Sequence, residues 1–172
     1  MRKQFVQKMP MVRQRVGVVP FEELVGPTTP TGGHNTFAWG HPIYIHNYKV
    51  ILKECVVRTQ TTGSVTFSLY KDYSLAVDGI GSGSLVDSVT ISGTSGQQTA
   101  TLNFEMEPSA NPYWLGIDYD SHIGLYRETS DRTYPIDSAD RNIEILRGYY
   151  RDASSTLLRH YFFFNLTFVW YK

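Results

Sequence analysis

Asp118-Tyr-Asp120 sets two carboxylates two residues apart. On a strand that spacing points both to one face, which is the start of a calcium site, although calcium takes about six to eight oxygens. Asp118 and Asp120 are therefore weak calcium candidates, and no other metal ligand set is expected. His41 and His46 flank Pro42 with His34 upstream, but none has the thiol or carboxylate companions at fixed spacing that zinc demands. Cys55 is the one cysteine; it excludes an internal disulfide, and among Val50, Leu52 and Val57 it reads as a small buried hydrophobe. Asp78-Gly-Ile-Gly-Ser-Gly-Ser84 resembles a phosphate-cradling loop only superficially. Such a loop needs a helix N-terminus behind it, and Leu85 to Ile91 reads as a strand. No serine stands in a nucleophile elbow and no second carboxylate motif suggests glycoside hydrolysis. No catalytic residue, no enzyme activity and no cofactor are expected. Asn165-Leu-Thr167 matches a glycosylation acceptor but lies within an apolar strand pattern and reads as incidental.

The chemistry that is plentiful is aromatic: twelve Tyr, nine Phe and three Trp in 172 residues. Trp39, Tyr44, Tyr119, Tyr126, Tyr134, Tyr149 and Tyr150 fall at expected strand ends or loops. There an apolar ring with a polar tip suits a protein interface first and a sugar-stacking platform second. Trp114 and Trp170 read as core or sheet-packing residues.

These groups need a scaffold, and the pattern that supplies it is period two. Val65, Phe67 and Leu69 alternate with Ser64, Thr66 and Ser68; Leu102, Phe104 and Met106 alternate with Thr101, Asn103 and Glu105; Val89 and Ile91 alternate with Ser88, Thr90 and Ser92. Strands are expected also at Val50–Thr59, Tyr113–Asp118, Ile123–Arg127, Asn142–Leu146 and Arg159–Trp170. Turn residues such as Thr62-Gly63, Ser95-Gly96 and Arg147-Gly148 separate them. No stretch has the length and period of an amphipathic helix. The fold class is all-β, an antiparallel sandwich or jelly roll. The last strand is apolar on both faces, so it should be central or covered on its outside.

Charge is uneven. Arg2, Lys3, Lys8, Arg13 and Arg15 put +5 into residues 1–21 with no acid. The remaining 151 residues, with eleven bases against sixteen acids, carry −5. That balance argues against nucleic acid as a partner of the body. Pro10, Pro20, Pro27 and Pro30 with neighbouring glycines discourage a sheet interior or long helix, leaving at most a helical turn at Phe21 to Val25. Residues 1–40 are expected to form an extended basic arm that binds a partner through Arg2, Lys3, Lys8, Arg13, Arg15 and Phe21, and residues 41–172 the sandwich. No export or membrane-spanning segment is expected: Gln4, Gln7 and Lys8 break the apolar run an export signal needs, and Tyr161 to Tyr171 is too short to span.

From about Lys49 to Trp170 the chain resembles a β-sandwich module recurrent in secreted and virion proteins of Bacteroidetes and their phages. The resemblance is carried by Val50-Ile-Leu-Lys-Glu-Cys-Val-Val57, Gly63-Ser-Val-Thr-Phe-Ser-Leu-Tyr70, Thr101-Leu-Asn-Phe104 and Tyr113-Trp-Leu-Gly-Ile117. Its remaining parts are Gly124-Leu-Tyr-Arg-Glu-Thr-Ser130, Tyr134-Pro135 and Tyr161-Phe-Phe-Phe-Asn-Leu166. It implies a jelly-roll-like, non-catalytic fold used for binding or display. With the basic arm added, the expectation is a structural protein of a tailed-phage virion, made in the host cytoplasm. Capsid decoration is the first choice; head–tail or fibre attachment are the others. Its partners would be capsid, neck or tail subunits and further copies of itself. The alternative is a carbohydrate-binding module for a cell-surface glycan.

Overall fold

In Val50–Thr59 the buried positions are Val50 and Leu52, then Cys55, Val57 and Thr59. The inward parity changes once, between Leu52 and Cys55, and that irregularity organises one of two sheets. The computed structural model describes residues 20–28, 32–74, 83–128, 132–151, 156–157 and 161–172. Among them the protein is all-β. Its strands are β1 (Phe21–Val25), β2 (His34–Asn35), β3 (Trp39–Ile45), β4 (Val50–Thr59), β5 (Gly63–Lys71), β6 (Ser84–Gly93), β7 (Gly96–Met106), β8 (Tyr113–Gly116), β9 (Leu125–Tyr126), β10 (Ile136–Asp137), β11 (Ile143–Ile145), β12 (Gly148–Tyr150), β13 (Thr156–Leu157) and β14 (Phe164–Trp170).

Every pairing is antiparallel. The first sheet, sheet A, runs β1-β14-β4, with β7 on the far side of β4 and β9 and β2 continuing from the Thr59 end. Sheet B runs β10-β11-β3-β8-β5-β6, with β12 beside the Trp39 end of β3 and β13 on β12. The two sheets pack as a β-sandwich around one core that includes Leu52, Phe104 and Phe168 from sheet A and Ile43, Phe67 and Leu115 from sheet B.

The kink in β4 is shared by both its neighbours. Register shifts occur opposite it on β7, between Leu52 and Glu54, and on β14, between Phe164 and Phe168. Asn103 on β7 and Asn165 on β14 take positive φ (55° and 44°), a region asparagine tolerates better than most residues. A bulge on each side lets the inward stripe of β4 change parity without breaking the sheet. The Asn165 backbone N–H is turned out of the ladder and donates to Pro27 O at 2.8 Å.

Three expectations need correction. The expected arm is partly body: Phe21–Val25 is a strand, not a helical turn, and pairs along its whole length with β14. His34–Asn35 pairs with β9, and Trp39 opens β3. The prolines do not prevent this, because Pro20 and Pro27 lie outside β1 and need no ladder donor. Residues 1–19, with Arg2, Lys3, Lys8, Arg13 and Arg15, lie outside the described residues, as does the glycine loop over 78–82. Second, the final strand starts at Phe164 rather than Arg159. Tyr161, Phe162 and Phe163 are fully buried with Phe162 at φ 66°, and they fill the core from a turn instead of a ladder. Third, the Val89 and Ile91 stripe of β6 is only half-buried, because β6 is an edge strand. The expected central place of the last strand holds: β14 lies between β1 and β4.

Candidate functional site

Sheet B covers its own outer surface. The Trp114 indole lies over Gly40 and Gly116, where a Cβ would come within 2.7 Å and 2.4 Å of the ring. Tyr73 stacks on it and Tyr70 meets it edge-on, both at 6.2 Å between ring centroids. Trp114 and Tyr73 are buried in consequence. The Tyr70 hydroxyl donates to Asp118 Oδ2 at 2.6 Å, and burial, with that bond, pushes its pKa up to about 12.

Asp118 and Asp120 are spoken for within this layer. Asp120 Oδ1 accepts from the Ala38 N–H at 2.8 Å and Oδ2 from the Tyr150 hydroxyl at 2.7 Å. Arg151 bonds the Asp118 carbonyl at 2.7 Å and approaches Asp120 at 3.8 Å. The Ala38 bond, the largest influence, holds the Asp120 carboxyl below the usual carboxylate range; desolvation, next in size, opposes it, and Tyr150 and Arg151 add to the lowering. Among the described residues no group of three or more His, Cys, Asp or Glu could hold a metal ion. The pair acts as a strut between the 117–122 loop and β12.

The seven aromatic candidates are likewise built into the fold. Trp39 is buried, stacked on Tyr161 at 4.4 Å and edge-on to Tyr150. Tyr44 stacks on His46 on the sheet surface, with Glu144 bonded to that histidine. The Tyr119 hydroxyl accepts from the Thr66 N–H at 3.1 Å. Tyr126 carries the Arg58 guanidinium over its ring at 4.3 Å. Tyr134 stacks on His41, with its pKa raised chiefly by burial. Tyr149 packs edge-on to Tyr73. None of the seven is fully exposed. His41 itself is a structural group. Its Nδ1 bonds Leu146 O and its Nε2 accepts the Tyr161 N–H, and full burial depresses its pKa to about 4. Cys55 is buried, which raises its thiol pKa.

The open surface is the outside of sheet A. Register carries one row across four strands: Glu22 on β1, Val169 on β14, Ile51 on β4 and Glu105 on β7. Two adjoining hollows of about 380 and 300 Å³ share Ile51 and Val169 as their floor. Asn47, Tyr48, Pro108 and Tyr171 bound the larger, Lys53 and Asn103 the smaller. Lys49 bonds Glu105 at 2.7 Å and Glu107 at 3.1 Å, and Lys53 approaches Glu22 at 3.6 Å. Hydrogen bonds donated by Lys49 to those two glutamates raise its pKa. The groove is thus an apolar floor between two exposed tyrosines, with three carboxylates and two ammonium groups on its rim. Beside it runs the outer edge of β1, which pairs with no further strand among the described residues. Phe21, the one described residue of the expected arm set, stacks on Trp170 at 6.3 Å under Lys172, and Leu24 is 64% exposed. Phe21 pairs with Trp170, so the start of β1 lies at the Tyr171 end of this groove.

Sequence reasoning missed Tyr48, Ile51, Val169 and Tyr171 as a set. The signal was the second apolar stripe of the last strand, whose Val169 faces outward with nothing of its own chain over it among the described residues. The chain matches no protein-family model, no curated protein and no solved structure.

Proposed function

We infer that this chain is a docking module rather than an enzyme: a structural protein of a phage particle, seated on a neighbouring capsid, neck or tail subunit. The observation that carries docking is the sheet A groove, an apolar floor beside a strand edge left unpaired among the described residues, in a chain whose residues 1–21 carry +5. A partner with an extended apolar strip and an acidic border would satisfy all three at once. Floor and edge give burial and main-chain pairing, and Arg13 and Arg15 give a screened attraction effective over about 8–10 Å. The particle setting, with decoration as its first form, rests on the sequence resemblance. The place of action is then the virion, after synthesis in the host cytoplasm.

The test is co-sedimentation of the full chain with assembled particles from the host that makes it. Val169→Lys with Tyr171→Ala should abolish it while leaving the circular dichroism unchanged, and charge reversal at Arg13 and Arg15 should weaken it most at low salt. Undiminished co-sedimentation of these variants would reject the groove. A second reading has its own observation: Tyr48 and Tyr171, both exposed, flank the groove as two rings flank a bound sugar. Glycan binding lost on Tyr48→Ala and Tyr171→Ala, without particle binding, would favour that reading.

A further inference from the structure

The two tyrosines at the mouth of the sheet A groove stand on backbone that no ladder holds among the described residues. Tyr48 lies in the turn between β3 and β4, and Tyr171 follows Trp170, the last paired residue of β14. A ring on such backbone is ordered by its partner at a cost in affinity, unless something fixes it beforehand. The bonds that fix both come from one place: the five-residue loop over 138–142, which joins β10 to β11 in the other sheet.

Asn142 is fully buried and spends its side chain on the β3–β4 turn. Its Oδ1 accepts from the Asn47 and Tyr48 N–H groups, each at 2.8 Å, and its Nδ2 donates to Tyr48 O at 3.2 Å. Exchanging the amide's oxygen and nitrogen would set donor against donor, so its orientation is fixed. Asp140 Oδ1 accepts from the Asn142 N–H and from the Ser138 hydroxyl, both at 3.0 Å, while Oδ2 faces Lys172 Nζ at 3.1 Å. Desolvation works to raise the Asp140 pKa, but these bonds and the Lys172 charge outweigh it and leave the carboxyl below its ordinary value. Lys172 in turn rests over the Phe21 ring at 4.6 Å, and Glu23 on the same strand accepts the Ala139 N–H at 2.7 Å. The loop thus grips the β3–β4 turn, the 171–172 end and β1, and the first two carry the groove's tyrosines.

We propose that Asn142 and Asp140 are positioning residues of the docking groove: Asn142 sets Tyr48, Asp140 sets Tyr171 through Lys172, and the bond between Asp140 and Asn142 ties the two settings together. The proposal rests on the reading of that groove as the docking surface, and it assigns the spacing of the two rings to a loop that lines neither hollow. A partner must then present its apolar groups at the separation of two rings already in place.

The experiment is a pair of double-mutant cycles on the affinity of the full chain for assembled particles from the host that makes it, with hydrogen exchange of the free chain alongside. Tyr48→Ala should weaken binding about tenfold or more, as loss of an aromatic anchor does. Asn142→Ala should weaken it by no more than that, and should add nothing once Tyr48 is alanine. Asp140→Asn keeps an oxygen for the Asn142 N–H and cancels the attraction to Lys172. It should cost about threefold, and nothing further once Tyr171 is alanine. In the free chain Asn142→Ala should speed exchange at the Asn47 and Tyr48 amides about tenfold or more, with β4 and β7 as in wild type. A residue of general stability would add its full cost to Tyr48→Ala or Tyr171→Ala, and that result would overturn the proposal; so would unchanged exchange at Asn47 and Tyr48. Should Asn142→Ala not fold, Asn142→Asp replaces it in both readouts, since it keeps the acceptor and sets an oxygen against Tyr48 O. Undiminished binding of Val169→Lys rejects the groove itself and this proposal with it. Binding lost in Val169→Lys but kept in full by Asn142→Ala rejects the positioning role alone.

Discussion

The two sheets present apolar residues on their outer faces and treat them in opposite ways. Sheet B seals its face with a flat layer of its own aromatics, the Trp114 indole set into a recess made by Gly40 and Gly116 and backed by Tyr70 and Tyr73. Sheet A leaves Ile51 and Val169 at the bottom of a groove with Tyr48 and Tyr171 at its mouth. The same residue types do two jobs: on one face they finish the fold, on the other they line a groove that no described residue covers. An exposed ring therefore says less about binding than the absence of a covering layer over its neighbours.

The sharpest way to break this contrast is to strip the sealed face. Trp114→Ala should cost about 3–5 kcal/mol in denaturant unfolding, the usual range for deleting a buried tryptophan. Gly116→Val should be as damaging, because its Cβ would meet the indole at 2.4 Å and the Gly40 Cα at 2.7 Å. A loss below about 1 kcal/mol in either would mean the layer is ornamental.

Beneath that face, His41 gives an effect of similar size that pH reveals. With its pKa lowered from 6.5 to about 4, the folded protein resists a proton that the unfolded chain accepts. Its contribution is full above pH 6.5, falls by about 3 kcal/mol on the way to pH 4, and is level below. The difference in unfolding free energy between wild type and His41→Gln should trace that window. A difference constant from pH 7.5 to 4 would refute neutral, doubly bonded His41.

The open face should behave in the contrary manner. Val169→Lys, at a half-buried outward position opposite Glu22, and Tyr171→Ala at an exposed one should change stability by less than about 1 kcal/mol, since neither opens nor overfills the core. Smallest of all is Lys49→Met. It removes two solvent-exposed ion pairs, and the unfolding midpoint should not move measurably.

How far the sequence revealed this depends on which physical rule was in force. β4 was legible to its exact ends, Val50–Thr59, because a run rich in β-branched and apolar residues is followed there by a turn. Cys55 and Trp170 were legible as core, and Trp114 as a residue packed on a sheet. β1, β2 and β3 were not, since prolines and glycines nearby read as a sheet-breaking arm. The structure uses Pro20 and Pro27 outside the ladder and lets Pro42 sit in β3 opposite Trp114. The groove was half-legible. The double apolar stripe of β14 announced a covered or central strand, and it is both central and, at Val169, uncovered. The seven aromatics could not be sorted from sequence, because a tyrosine packed edge-on to a neighbour and one facing solvent have the same local pattern. Only the register that sets Gly40 beside Gly116 tells which face is filled.

The central claim, that sheet A's outer face is where this chain meets its neighbour, is tested most directly by hydrogen exchange of the full chain, free and bound to its particle. Slowed exchange should be confined to β1, to residues 46–49 and 107–109, and to the 171–172 end, with the aromatic layer of sheet B unchanged. Protection centred on β8 and β12, with β1 exchanging as in the free chain, would contradict it.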